Sequence, residues 1–146
     1  MSVSTQLTVG IHILCLLAGS AEESLTSEYM AGSVGTNPVV IRRTLAKLRA
    51  RGIVTSQGGA GGGWRLTRPA DAITLADVYA AVRSGPLLAL RHGDPNPNCA
   101  VGSRLQKGLK SYYDEAEAAV EAQLARSTIA EVLASTRRVR IPSKKI

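Results

Sequence analysis

Apolar residues recur along the chain at helical spacing in several stretches and at strand spacing in two. Val3, Leu7, Ile11, Leu14 and Leu17–Ala18 predict an amphipathic helix over residues 3–18, with Ser4, Thr5 and Thr8 on its polar side. His12 and Cys15 fall inside this helix and read as packed or hydrogen-bonded interior residues. Gly19 ends the helix, and residues 20–24 form a polar turn. Thr26 is the N-cap candidate of a second, shorter helix with Tyr29, Met30 and Val34 as apolar contacts and Gly35 as terminator. A third helix runs from Asn37 to Arg51. Asn37 suits its N-cap and Pro38 its first turn, Ile41, Leu45 and Leu48 face a core, and Gly52 stops it. Two strand-like runs follow, Ile53–Thr55 and Trp64–Thr67, separated by a glycine-rich segment.

Further on, Thr74 and Asp77 read as a capping box that opens a helix carrying Val78, Tyr79 and Val82. Residues 85–103 hold three prolines and form an irregular loop containing Cys99. From about Val101 to Ser127 a single long helix carries Leu105, Leu109, Tyr112, Ala116, Ala119–Val120 and Leu124 as a narrow apolar stripe. Asp114, Glu115, Glu117 and Glu121 keep its flanks polar. Such a stripe calls for a partner helix, and the economical partner is the same helix of a second subunit. Packing within the chain is the alternative. Thr128 and Glu131 open a last short helix through Leu133, and a basic tail of Arg137, Arg138, Arg140, Lys144 and Lys145 closes the sequence.

The third helix has five basic residues, Arg42, Arg43, Lys47, Arg49 and Arg51, and no acidic one. Anchored on one side and positive on the other, it is a candidate for the major groove of DNA. Two short helices joined by a glycine-containing turn make a helix-turn-helix pattern, although a three-helix core with a solvated basic face would look similar. The hairpin decides in favour of a winged helix-turn-helix. Its tip, Gly58 to Gly63, can approach a sugar–phosphate backbone because no Cβ intervenes at its glycines. A nucleotide-binding loop does not fit, since these glycines do not open a helix and no Lys-Ser/Thr pair follows. The fold class expected is therefore mainly α with a small β-hairpin wing, followed by a long C-terminal dimerisation helix.

The balance of charge agrees. A net charge of +7 favours a polyanionic partner, nucleic acid before an acidic membrane surface. With no Phe, one Trp and four Tyr, the chain lacks the stacking platforms of single-strand binders. Two cysteines form no disulfide framework, the first apolar run is too short to span a bilayer, and a cytoplasmic protein is expected. No Ser-His-Asp arrangement, paired carboxylate or metal-ligand cluster stands out, so neither enzymatic activity nor a metal site is expected. An adaptor that uses the same scaffold for protein partners is the rival reading.

Taken together, TNPVVIRRTLAKLRARGIV, the wing GGAGGGWRLTR, ITLADVYAAV and STIAEVL resemble the Rrf-type winged-helix transcriptional regulators over nearly the whole chain. TNPVVIRR and the loop PNPNCAVG are most similar to its YwnA-like branch, without an iron–sulfur cluster. The resemblance implies a homodimeric repressor acting on a two-fold operator in double-stranded DNA. It places base reading on Asn37, Val39, Arg42 and Arg43. Lys47, Arg49 and Arg51 would contact phosphate, which positions without specifying. Relatives carry Arg at the start of the wing tip where this chain has Gly58, so Gln57 or Arg65 would substitute there, with Gly61 and Gly62 bringing backbone close. Cluster-binding members place three cysteines in the loop before the long helix. Here only Cys99 is present, and one thiolate does not hold a cluster that needs four ligands, so no cofactor is expected. Cys99 is instead a candidate redox or thiol-reactive sensor, near Arg91 and Arg104 in sequence. An inert cysteine and a small-molecule effector are the alternatives. The organisation expected is a winged helix-turn-helix over 1–84, a loop over 85–103, the dimerisation helix with the short last helix over 104–136, and a basic tail over 137–146.

Overall fold

The computed structural model describes residues 1–20 and 22–137. The elements run α1 (Val3–Gly19), α2 (Ser27–Val34), α3 (Pro38–Ala50), β1 (Val54–Gln57), β2 (Gly63–Leu66), a single 3-10 turn (Ala70–Ala72), α4 (Leu75–Val82), α5 (Gly102–Leu124) and α6 (Ile129–Arg137). The capping chemistry falls where expected. Thr26 Oγ1 accepts from the Tyr29 amide and Asn37 Oδ1 from the Val40 amide, both at 3.1 Å. Thr74 and Asp77 exchange both hydrogen bonds of a capping box. Gly35 takes φ 79° at the end of α2, a left-handed conformation that few other residues adopt without strain.

One apolar core joins α1, α2, α3, α4 and α6, which with the hairpin form the head of the molecule. Ile13, Leu14, Met30, Ile41, Leu45, Leu48, Ile53, Ile73, Val78 and Ile129 are fully buried in it. Two expectations change here. First, α1 keeps Ser4, Thr5 and Thr8 exposed but buries more than the apolar positions read from the pattern. Val9, Gly10 and Ile13 are buried along with Leu14 and Leu17, because α2, α3, α4 and α6 surround this helix. A Cβ at Gly10 would meet Val78 Cγ1 at 3.0 Å, so this glycine lets α4 lie close. His12 and Cys15 are half-buried, and His12 Nε2 shares a 3.0 Å hydrogen bond with Ser33 Oγ of α2. Second, Tyr29 is 60% exposed and not a core contact of α2, which leaves Met30 and Ala31 to anchor that helix.

The last helix also differs from expectation. It extends to Arg137 and packs back on α1, with Ile129 fully buried. The Ile129 amide donates to the Ile73 carbonyl (2.9 Å) and the Leu75 amide to the Ser127 carbonyl (3.0 Å), fixing the start of α6 to the start of α4. Residues 129–137 therefore complete the head rather than simply prolonging the long helix. The rest of the basic tail, with Arg138, Arg140, Lys144 and Lys145, lies outside the described residues.

The long helix α5 spans 23 residues and none of them is buried. Its inner side is held by Glu117. Glu117 Oε1 accepts from the Tyr79 hydroxyl (2.8 Å), the Arg83 guanidinium (2.9 Å) and the Leu87 amide (3.2 Å). Glu117 is therefore a tether between α4, the following loop and α5, and not the solvated flank residue expected from the pattern. Burial and this hydrogen bond push the Tyr79 phenol above the usual tyrosine range.

Candidate nucleic-acid interface

The interface starts from the burial of α3. Ile41, Thr44, Leu45 and Leu48 fix one side of this helix in the core, and helical periodicity then turns Val39, Arg42 and Arg43 outward. Val39 is 50% exposed, an apolar side chain on the outward face of the helix. Asn37 spends its carbonyl oxygen on the cap, which leaves its amide N–H groups as donors.

The five basic residues of α3 are not one uniform face. Lys47 Nζ donates to the Val82 carbonyl at 3.3 Å and Arg51 Nη2 to the Ala80 carbonyl at 3.4 Å. Both cations thus sit at the C-terminal end of α4, where exposed carbonyls carry partial negative charge. Arg49 lies 5.3 Å from the Trp64 ring and donates to Ser56 Oγ, so it ties α3 to the wing. Arg42 Nη2 pairs with Glu28 Oε1 on α2 at 2.5 Å. Among the described ion pairs Arg43 has no acidic partner.

The wing is a two-stranded antiparallel hairpin in which Val54 faces Leu66 and Gln57 faces Gly63. It is stitched to the rest of the head by a bridge between Leu25 and Trp64, with amide–carbonyl distances of 2.8 and 3.1 Å. Sequence patterning gave no sign of this bridge, because Leu25 stands alone outside any strand-like run. Gln57 and Gly61 are exposed at the tip. Gly62 is half-buried, and a Cβ there would lie 2.2 Å from the Gln57 carbonyl oxygen, so the tip closes only with glycine at this position. Arg65 does not reach the tip. Its Nε donates to Ser24 Oγ at 2.8 Å, on the α1–α2 turn, which removes it as a stand-in for the arginine missing at Gly58. Glu28 and Tyr29, both exposed at the start of α2, belong to this surface; the pattern passed over Glu28, which is not basic, and assigned Tyr29 to the core.

The remaining candidates lie apart from this surface. Leu105, Tyr112, Ala116 and Val120 of α5 are exposed, while Leu109 and Leu124 are partly covered. Leu109 and Tyr113 line a groove of about 360 Å³ against Leu90, Arg91 and Pro95 of the loop. Cys99 is exposed just before α5, and its Sγ accepts from the Gly102 amide at 3.3 Å. Cys15 is the other free thiol, and burial pushes it above the usual cysteine range.

A helix turned outward by its buried side, a second helix against it and a hairpin wing beside it define a winged helix-turn-helix DNA-binding regulator. The profile of the Rrf2 family, described as an iron-dependent transcriptional regulator, matches residues 3–135. The chain belongs to the Rrf2 family. It is 39% identical over 131 residues to YwnA of Bacillus subtilis, assigned as an HTH-type transcriptional regulator, covering 90% of this chain and 96% of that protein. Its fold matches a crystal structure assigned as a DNA-binding protein with a TM-score of 0.71 and 36% identity, over 88% of this chain and 98% of the other. IscR of T. potens shares the fold with a TM-score of 0.70 at 22% identity, over 97% and 93% of the two chains.

The family description raises the question of iron. Among the described residues no three His, Cys, Asp or Glu side chains come together to hold a metal ion. Cys99 is the single cysteine of its loop, and Cys15 lies within α1. The residues of one protomer therefore do not fit an iron centre. No helix among the described residues is long and apolar enough to cross a membrane.

Proposed function

We propose that the protein is a cytoplasmic homodimer that binds a two-fold operator in double-stranded DNA, and represses where that operator overlaps a promoter. The observation that carries this reading is the outward face of α3, where exposed Val39, Arg42 and Arg43 project from a helix fixed by fully buried Ile41, Leu45 and Leu48. Arg42 and Arg43 each have the donors for a bidentate contact to guanine, worth about 1–3 kcal/mol of discrimination. Asn37 and Val39 complete the reading positions. Gln57, Gly61 and Gly62 bring the wing tip to the backbone. Lys47 and Arg49 serve indirectly, by fixing α3 against α4 and the wing.

The exposed stripe of Leu105, Tyr112, Ala116 and Val120, flanked by Leu109 and Leu124, supports pairing of α5 with its copy. A two-fold pair would set the reading helices about 34–36 Å apart, one turn of DNA. The exposure of Cys99 at the start of α5 supports a thiol-based signal at the joint between loop and dimer helix.

Selection from a random duplex library with the purified full-length protein tests the reading. A two-fold motif is expected, with retention that falls steeply as salt rises. Charge reversal at Arg42 and Arg43 is expected to abolish retention. An adaptor for protein partners would show no motif and tolerate that reversal. Repeating the selection with oxidised protein, and with Cys99→Ser, reads the signal. Unchanged binding by the oxidised wild type would exclude Cys99 as the sensor.

A further inference from the structure

In the head, one of the two arginines placed to read bases is held by a carboxylate on the neighbouring helix. Glu28 lies in the first turn of α2 and Arg42 in the middle of α3, and their 2.5 Å contact joins the two helices of the helix-turn-helix. The Arg42 and Glu28 side chains are 53% and 63% exposed, so the pair adds little to folding stability. Its placement is more informative than its strength. The first helix of a helix-turn-helix crosses the DNA backbone, which is where an acidic side chain costs affinity unless a cation stays beside it.

Resting on the reading of α3 as the DNA-reading helix, we propose that Glu28 is a specificity-determining residue that acts through Arg42. Two modes of DNA engagement compete for this arginine. Paired with Glu28, Arg42 has one N–H committed and retains others of its five donors for the edge of a guanine. Turned to a phosphate, it leaves Glu28 as an uncompensated carboxylate facing a polyanion. Glu28 therefore penalises the phosphate mode, which carries no sequence information, and restrains Arg42 in the mode that reads. Arg43, with no acidic partner among the described ion pairs, carries no such restraint. Glu28 thus trades affinity for discrimination.

The test compares wild type, Glu28→Gln, Arg42→Ala and the double variant, each as full-length protein, by selection from the random duplex library and by salt titration on selected and scrambled duplexes. Glu28→Gln keeps the size of the side chain and removes its charge. It is expected to raise affinity for scrambled duplex about threefold to tenfold at low salt. The slope of log affinity against log salt should steepen by about 1.8 for the dimer, the signature of one added phosphate contact in each half-site. Guanine preference at one position of each half-site should fall about tenfold. Arg42→Ala should abolish preference at that position, and the double variant should match Arg42→Ala. A Glu28→Gln protein with wild-type preference and slope overturns the proposal. So does a loss of preference at other positions that persists in the Arg42→Ala background. A wild-type protein that selects no motif overturns the DNA-reading assignment itself. Melting temperatures of the exposed-site variants should stay within a few degrees of wild type, which separates these effects from misfolding.

Discussion

Tyr112→Glu offers a direct test of the long helix as a dimer surface. Tyr112 is 69% exposed, Leu105 51% and Val120 36%. Complete burial of such side chains contributes about 1.5–3 kcal/mol each, so a residue already half covered stands to gain about 1 kcal/mol. A two-fold interface counts every residue twice, and these three supply about 6 kcal/mol toward association. Tyr112→Glu removes two aromatic contacts and buries two carboxylates without partners, a change of at least about 4 kcal/mol, or about a thousandfold in dissociation constant. Because Tyr112 makes no contact with the head's core, the monomer should keep its fold. Sedimentation equilibrium at micromolar concentration should show monomer in place of dimer. Operator affinity should fall with it, while Tyr112→Phe behaves as wild type. A Tyr112→Glu protein that stays dimeric with unchanged affinity would refute this use of the stripe.

Three further outcomes follow from the geometry. Gly62→Ala places a methyl group 2.2 Å from the Gln57 carbonyl oxygen, so the wing tip must re-form. Operator affinity should drop, with a loss of about 1–2 kcal/mol in stability measured by urea unfolding, and an unchanged wing would contradict the geometry. Tyr79 is buried against Glu117, and its raised phenol pKa means that the folded state holds this proton more tightly than the unfolded state. The stability it contributes is complete below a pH of about 10 and is lost as pH rises through the folded value. Tyr79→Phe should lower stability by about 1 kcal/mol at pH 7 and flatten the decline above a pH of about 10, as read from urea midpoints. Finally, Cys15 is half-buried with its thiol pushed up, whereas Cys99 is exposed. Brief maleimide treatment near neutral pH should label Cys99 faster than Cys15 in the native protein, because Cys99 is open to the reagent while Cys15 is half-buried with its thiol pushed up. Equal rates in a mass spectrum would overturn that ordering.

Much of the fold was legible in the chain because the signals involved are local. Thr26, Asn37 and Thr74 cap helices through amides three residues away, and Gly35 ends one through its own backbone angle. The buried side of α3 follows from the spacing of Ile41, Leu45 and Leu48 alone, and that spacing also turns Val39, Arg42 and Arg43 outward. The apolar positions read for α1 were incomplete, however, since Val9, Gly10 and Ile13 are buried as well. Periodicity reports one favoured side of a helix and says nothing of how many neighbours will surround it.

The site shows the same division. The resemblance placed base reading on Asn37, Val39, Arg42 and Arg43, and helical phase puts the last three on the outward face of α3. Lys47, Arg49, Arg51 and Arg65 look alike in a sequence, each a long cation on or beside the reading helix. Only the packed chain distinguishes them. It supplies Val82 and Ala80 carbonyls to two of them, Trp64 and Ser56 to the third and Ser24 to the fourth. Glu28 and Glu117 were passed over as surface acids, yet one holds Arg42 and the other ties α4 to α5. The sequence by itself determined the helices, their caps, the wing and the direction in which α3 faces, since those depend on residues within a few positions of one another. Which charged groups remain available to DNA was decided by tertiary structure, because a long polar side chain takes its partner from whatever distant segment the fold brings within about 3 Å.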